Sequence, residues 1–313
     1  MACDHPLAGY TAREFGPNGK RGITFNPLLS LTGKSFPIPC GRCMQCRIKY
    51  CRDWSVRCMH EKLLHADNVF LTLTYNDDKL PHGGTLVRND PVLFLKRLRT
   101  AISPIRYRFY GCGEYGTKSW RPHYHMILFG IDFNDKKFYK MTNRGHKLYT
   151  SEFISTLWPN GFNVLGDVDY DSCAYVAGYV TSKINGDKAE AHYERILPSG
   201  EIVNLLPEFS MMSRGSGKDD PDPTYRGGIG SGWFLKYGTH AYAHDSVIFK
   251  GKEVSPPRYY DTRYEVLDEA RLRKLKVKRR AKARLRAADN TSSRRHVKEE
   301  LLRLNLKAKS KEF

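Results

Sequence analysis

The segment Arg121-Pro122-His123-Tyr124-His125-Met126-Ile127-Leu128-Phe129-Gly130 constrains the fold most. It reads as a short buried strand that stops at a glycine. Side chains alternate across a strand, so His123 and His125 leave one face with their Cα atoms roughly 6–7 Å apart. The segment from Gly116 to Arg121 is short enough for a hairpin to a preceding strand, Ile105 to Glu114. If that hairpin is symmetric about its loop, Glu114 faces His123. Gly113 and Gly116 flank it and leave room for a close approach.

Further strands and helices follow from periodicity. Val69 to Tyr75 alternates β-branched and aromatic residues with small polar ones, as a strand does. Residues 44–65 read as a helix bearing Trp54. Asp90 with Pro91 suits a helix start ahead of Phe94 and Leu98. Ser151 to Trp158 reads as a short helix and Phe162 to Tyr170 as a strand. A last helix, capped by Asp171 or Ser172, is expected to reach about Lys183. The order strand, helix, strand, strand, helix, strand, helix defines an α+β class built on a ferredoxin-like split βαβ with a central antiparallel sheet. Residues 1–39 show no periodicity, 187–255 are loop-rich, and 264–288 and 294–308 read as two basic helices, the second with an apolar stripe of Val297, Leu301 and Leu304. The expected divisions are 1–66, a Cys-rich module with its helix; 67–186, the core; 187–263, an insertion; and 264–313, a basic helical tail.

Charge points to the partner. The chain has 52 Lys and Arg against 33 Asp and Glu, a formal charge of +19. Residues 268–313 hold 17 of the basic and 6 of the acidic residues, so the tail carries most of the excess and suits a polyanion. No apolar run reaches the ~18 residues of a membrane span, and the first residues lack a signal-peptide core. The expectation is a cytosolic protein, in which clustered cysteines bind metal more often than they form bridges. Six of the eight cysteines fall in the first 58 residues. Cys40, Cys43 and Cys46 make two overlapping Cys-x-x-Cys units. A tetrahedral zinc site needs a fourth ligand, from Cys3 or His5, with Cys51 and Cys58 in reserve.

The chemistry-bearing set is therefore Glu114, His123 and His125, a three-ligand group with open positions suited to Mg²⁺ or Mn²⁺, together with Tyr175, Tyr179 and Lys183 at helical spacing. A tyrosine can form a covalent phosphodiester intermediate. A metal can polarise the phosphate, and Lys183 can offset charge on its oxygens.

On these residues the chain resembles the HUH superfamily of rolling-circle replication initiators, in particular those of the Microviridae and the gokushovirus type among them. The resemblance rests on Phe70 to Tyr75, on Arg121 to His125 with Glu114 in the preceding Gly-Glu-Tyr-Gly, on Tyr175 to Lys183, and on Pro39 to Arg47. Lys183 stands four residues after Tyr179, where many relatives have three. The resemblance implies an RRM-like HUH endonuclease fold. It also implies site- and strand-specific nicking and rejoining of origin DNA through a 5′-phosphotyrosine, in the cytoplasm of a bacterial host, with the host helicase and polymerase as partners. The competing readings are a non-enzymatic zinc-containing nucleic-acid-binding protein and an HUH transposase or relaxase.

Overall fold

The structure is a computed structural model. It describes residues 3–311 other than 18, 117, 118, 180–182, 185 and 187, with side chains left aside at 179 and 307–311. Two compact units are present, Met1–Tyr50 with Asp268–Phe313, and Cys51–Leu267.

In chain order the first unit opens with β1 (Leu7–Phe15), β2 (Arg21–Thr24) and β3 (Phe36–Ile38), a three-stranded sheet in the order β2-β1-β3. Residues 1–39, without visible periodicity, thus still form strands. Much of their apolar surface is exposed, Phe15 and Phe25 among it, so no alternation marks an inner face. Helix α1 (Met44–Lys62) follows. At the far end of the chain this unit is completed by α8 (Glu269–Arg284) and α9 (Ser292–Lys311). The expected basic helix over 264–288 is broken. It ends as a separate helix at Leu267, and the Asp268 carboxylate accepts from the Arg271 N–H at 2.8 Å to start the next. Val297, Leu301 and Leu304 on α9 are exposed.

The second unit carries β4 (Asn68–Tyr75), α2 (Asn89–Ala101), β5 (Arg108–Tyr115), β6 (Pro122–Phe129), β7 (Lys137–Met141), β8 (Lys147–Thr150), α3 (Glu152–Leu157), β9 (Gly161–Gly166) and α4 (Tyr170–Tyr179). The loop-rich stretch then supplies α5 (Ala189–Tyr193), β10 (Glu194–Ile196), β11 (Ile202–Asn204), β12 (Phe209–Met212), α6 (Ser231–His244), β13 (Val247–Phe249), β14 (Lys252–Val254) and α7 (Arg258–Leu267). Seven strands form one antiparallel sheet in the order β12-β5-β6-β4-β9-β8-β7.

Both faces of this sheet are used. Val69, Leu71, Leu73 and Tyr75 of β4 are buried with Tyr124, Met126 and Leu128 of β6 beneath Phe94 and Leu98 of α2, Ile154 of α3 and Trp158. On the opposite face Trp54 and Cys58 of α1 and Cys173, Val176 and Ala177 of α4 cover Tyr110, Cys112 and Ile127. Because the side-chain period is two, a one-residue slip would turn every one of these out of its core. The packing that fixes Leu71 and Met126 therefore also fixes His123 and His125 on the α1/α4 face.

Asp90 does not cap α2. It lies inside the first turn and accepts from the Tyr75 hydroxyl at 2.5 Å, and Tyr75 in turn contacts the Tyr124 hydroxyl at 2.8 Å. A buried ion pair, Arg108 to Glu61 at 3.0 Å, ties later residues to the sheet. Arg108 donates to the carbonyls of Thr224 at 2.8 Å and Gly227 at 2.6 Å, while Glu61 accepts from the Gly230 N–H at 2.6 Å. These added bonds are what make a buried pair tolerable, since each charge forfeits its hydration.

Candidate metal centre and nucleophile helix

The β5–β6 register pairs Glu114 with His123 and Cys112 with His125. Glu114 Oε1 lies 2.6 Å from His123 Nε2 and 2.8 Å from His125 Nε2. Both imidazoles thus direct Nε2 to one point. Their other nitrogens are held from behind, His125 Nδ1 by Thr72 Oγ1 at 2.9 Å and His123 Nδ1 by the Arg121 carbonyl at 3.0 Å. Outer bonds of this kind fix ring orientation and tautomer at metal sites. Burial lowers the pKa of His125, against the opposing pull of Glu114, which favours the neutral ring a ligand needs. Glu114 Oε2 is buried and has no hydrogen-bond partner among the described residues. Such an orphan costs about 1–3 kcal/mol or more unless something binds it. The three side chains form a group able to hold a metal ion.

Helix α4 begins with a reciprocal cap. Asp169 Oδ1 accepts from the Ser172 N–H at 2.7 Å, and Ser172 Oγ accepts from the Asp169 N–H at 2.8 Å. Asp169 is thus the cap, in place of Asp171 or Ser172. The helix brings Tyr175 over the sheet. Its hydroxyl donates to Glu114 Oε1 at 3.4 Å, and its ring stands edge-on 5.0 Å from His125. Tyr175 is 44% exposed, so the phenol remains open to solvent. Tyr179 is the last helical residue, and its side chain lies outside the described residues. The helix stops there rather than near Lys183, which is partly buried and non-helical. Helical spacing therefore does not place Lys183 on the tyrosine face. The space at Gly113 is taken up from within the fold, since a Cβ there would come 2.9 Å from the Phe209 ring of β12.

Cys3, Cys40, Cys43 and Cys46 form a second group able to hold a metal, with all four sulfurs within 4.8 Å of one another. Cys3 lies 3.7 Å from Cys40 and 3.9 Å from Cys43. A tetrahedron of Zn–S bonds near 2.3 Å has an edge of about 3.8 Å. Gly41, at φ +75°, turns the chain so that the N–H groups of Arg42 and Cys43 donate to Cys40 Sγ. Burial alone would raise the Cys40 thiol, but these backbone donors, with the neighbouring thiols, bring it down to about 7. His5 is turned to Glu299 at 2.9 Å, and Cys58 is buried in the sheet core.

The sequence reading passed over Thr72. Its signal is a polar residue at alternate positions of an otherwise apolar strand, with His125 as its Cα partner across the ladder. It also passed over residues 131–150, which form β7 and β8.

The sequence profile of a family of replication-associated proteins, described by the ORF2 protein, matches residues 68–184, the span that carries the Glu–His–His group and α4. The chain belongs to this family of phage replication-associated proteins. It is 32% identical over 242 residues to replication-associated protein VP4 of Bdellovibrio phage phiMH2K, covering 74% of this chain and 68% of the relative. It is 31% identical over 240 residues to replication-associated protein ORF2 of Spiroplasma virus 4, covering 73% and 68%. With replication-associated protein ORF4 of Chlamydia phage 1 the identity is 32% over 157 residues, covering 48% and 39%. No solved structure matches the chain. Among the described residues no helix is long and apolar enough to cross a membrane.

Proposed function

We propose that this phage replication protein is a ferredoxin-like HUH endonuclease that nicks and rejoins one strand at a replication origin. The observation that carries the reading is the convergence of Glu114, His123 and His125 on one point with the Tyr175 phenol beside it. The order β5-β6-β4-β9 within the sheet, with α2 and α3 on one face, supports the fold part of the reading. Two imidazoles, one carboxylate and an unpartnered carboxylate oxygen fit a divalent ion, Mg²⁺ or Mn²⁺. When bound, such an ion polarises the scissile phosphate and orients it.

The chain's own residues do the rest. The Tyr175 oxygen forms the new P–O bond while the P–O3′ bond breaks. The phenolic proton is released to water, and the departing 3′ oxygen takes one up. Tyr179, four residues on, supplies the second nucleophile for cleavage of the regenerated junction, and Lys183 offsets charge on the phosphoryl oxygens. The free 3′ end then primes host polymerase, with a host helicase opening the duplex, in the bacterial cytoplasm. The reading is tested by incubating the protein with Mn²⁺ and origin single strands, then mapping the DNA-linked peptide. An adduct on the 170–183 peptide is expected. DNA that is retained but never covalently attached would make the protein a binder instead.

The cysteine group is read as a structural zinc site. Purified protein is expected to hold about one zinc per chain, and Cys43→Ser to release it and lower the unfolding midpoint. Elemental analysis of protein prepared without chelators that finds no zinc would refute this.

Helices α8 and α9 are read as the duplex grip. Because they share a compact unit with the N-terminal strands, the clean test keeps the helix and removes charge. Lys274, Lys278, Arg280 and Lys282 are all exposed. Changing the four to Gln is expected to make the salt dependence of duplex binding shallower by about 3–4 in log K against log salt. An unchanged slope would remove these residues from the interface.

A further inference from the structure

Nicking chemistry leaves the β7–β8 hairpin without a role. Residues 136–150 carry Lys136, Lys137, Lys140, Arg144 and Lys147, plus His146, and no Asp or Glu. Every residue of β7 is exposed, Phe138 and Tyr139 included. Lysines on an edge strand commonly serve only to block pairing with another chain. That explains Lys137 and Lys140. It does not explain where the turn goes.

The turn folds back over the site face of the sheet. Arg144, His146 and Lys147 wall a cavity of about 320 Å³ whose floor includes Phe70 and Val164 and whose opposite side includes His125 and Tyr175. The Phe70 ring lies 5.6 Å from that of His125 and 6.3 Å from that of Tyr175. The same open strip continues along β9 to Phe162, which is 65% exposed and paired with Thr74. The volume is at the small end of the roughly 300–1,000 Å³ of ligand clefts, room for one nucleotide rather than a run of them. Aromatic floors accept any base, and Arg and Lys accept its phosphate. Acidic groups also line the rim, but two are engaged. Asp171 pairs with Lys250 at 2.9 Å, and Asp169 caps α4 and lies 3.7 Å from His146.

We infer that the β7–β8 hairpin is a single-strand DNA clamp that seats the nucleotide next to the cut bond, its base on the Phe70–Val164 floor and its phosphate against Arg144 and Lys147. The inference rests on the nicking reading of the same site. Its test is a binding measurement in EDTA, where no cutting occurs, using fluorescent origin single strands over a range of KCl. Arg144→Gln with Lys147→Gln is expected to weaken binding about tenfold and to make the salt slope shallower by roughly 1.4, the value for two phosphate contacts. Lys136→Gln with Lys137→Gln removes the same charge at the hairpin base, where Lys136 faces Asp132 and Lys137 faces Glu152, and should leave the slope unchanged. An abasic site at one position beside the nick should weaken wild-type binding about tenfold. It should make no difference to Val164→Trp, which fills the cavity. Equal slopes for wild type and the Arg144/Lys147 pair, or equal losses for the two pairs, would overturn the clamp. A wild type that shows these binding effects but forms no adduct with Mn²⁺ would instead sink the nicking reading.

Discussion

Changing Tyr175 and Tyr179 together to Phe is expected to eliminate covalent protein–DNA product, with nicking reduced on the order of 10³-fold or more, because no phenolic oxygen remains to attack the phosphate. The fold should survive. Tyr175 packs edge-on against Phe70 and His125 through its ring, which phenylalanine keeps. What it loses is one 3.4 Å hydrogen bond on a half-exposed residue, about 0.5–1.5 kcal/mol at most. The single changes should separate the two nucleophiles, each allowing no more than one class of cleavage and stalling the completed cycle. Gel-shifted covalent product, measured after denaturation, gives the answer. Undiminished adduct from the double variant would place the nucleophile elsewhere.

Glu114→Ala is expected to be equally severe, with nicking at the background set by EDTA. The carboxylate is the one side chain shared by both imidazoles, so its loss dismantles the group while leaving the β5–β6 ladder intact. The effect on the metal-free fold should be small, since the change also removes a buried oxygen with no partner. The diagnostic is therefore thermal. A ligand that binds only the folded state stabilises it by about 2.7 kcal/mol at a hundred times its dissociation constant. Wild type should show that rise in unfolding midpoint with Mn²⁺, and Glu114→Ala should not. Cleavage by wild type that ignores EDTA, or the same Mn²⁺ shift in both proteins, would rule out this centre.

The legible parts of the chain are those where burial imposes a period. Alternation in β4 and the apolar run of β6 give strands because each has a buried face, and Cys-x-x-Cys spacing gives a thiol cluster because it is local. The illegible parts lack that constraint. Strand β7 is exposed along its whole length, so Lys137 to Met141 shows no inner and outer set. Strand β12 joins the sheet beside β5, with Met211 opposite Gly111, and nothing local in Phe209 to Met212 announces so distant a partner. The helix break at Asp268 is hidden because charge surrounds both flanking helices. The end of α4 at Tyr179 is hidden because helical spacing continues on paper to Lys183.

The region that carries the ligands and the tyrosines is not the region that holds itself together. Trimming the protein to residues 68–184 would keep Glu114, His123, His125 and Tyr175. It would also strip Trp54 and Cys58 from the site face, leave the outer edge of β5 without β12, and deprive Arg108 of Glu61 and of the Thr224 and Gly227 carbonyls. A minimal nicking fragment therefore has its boundaries set by a cationic side chain on β5, and these lie well outside the stretch over which the chemistry is written.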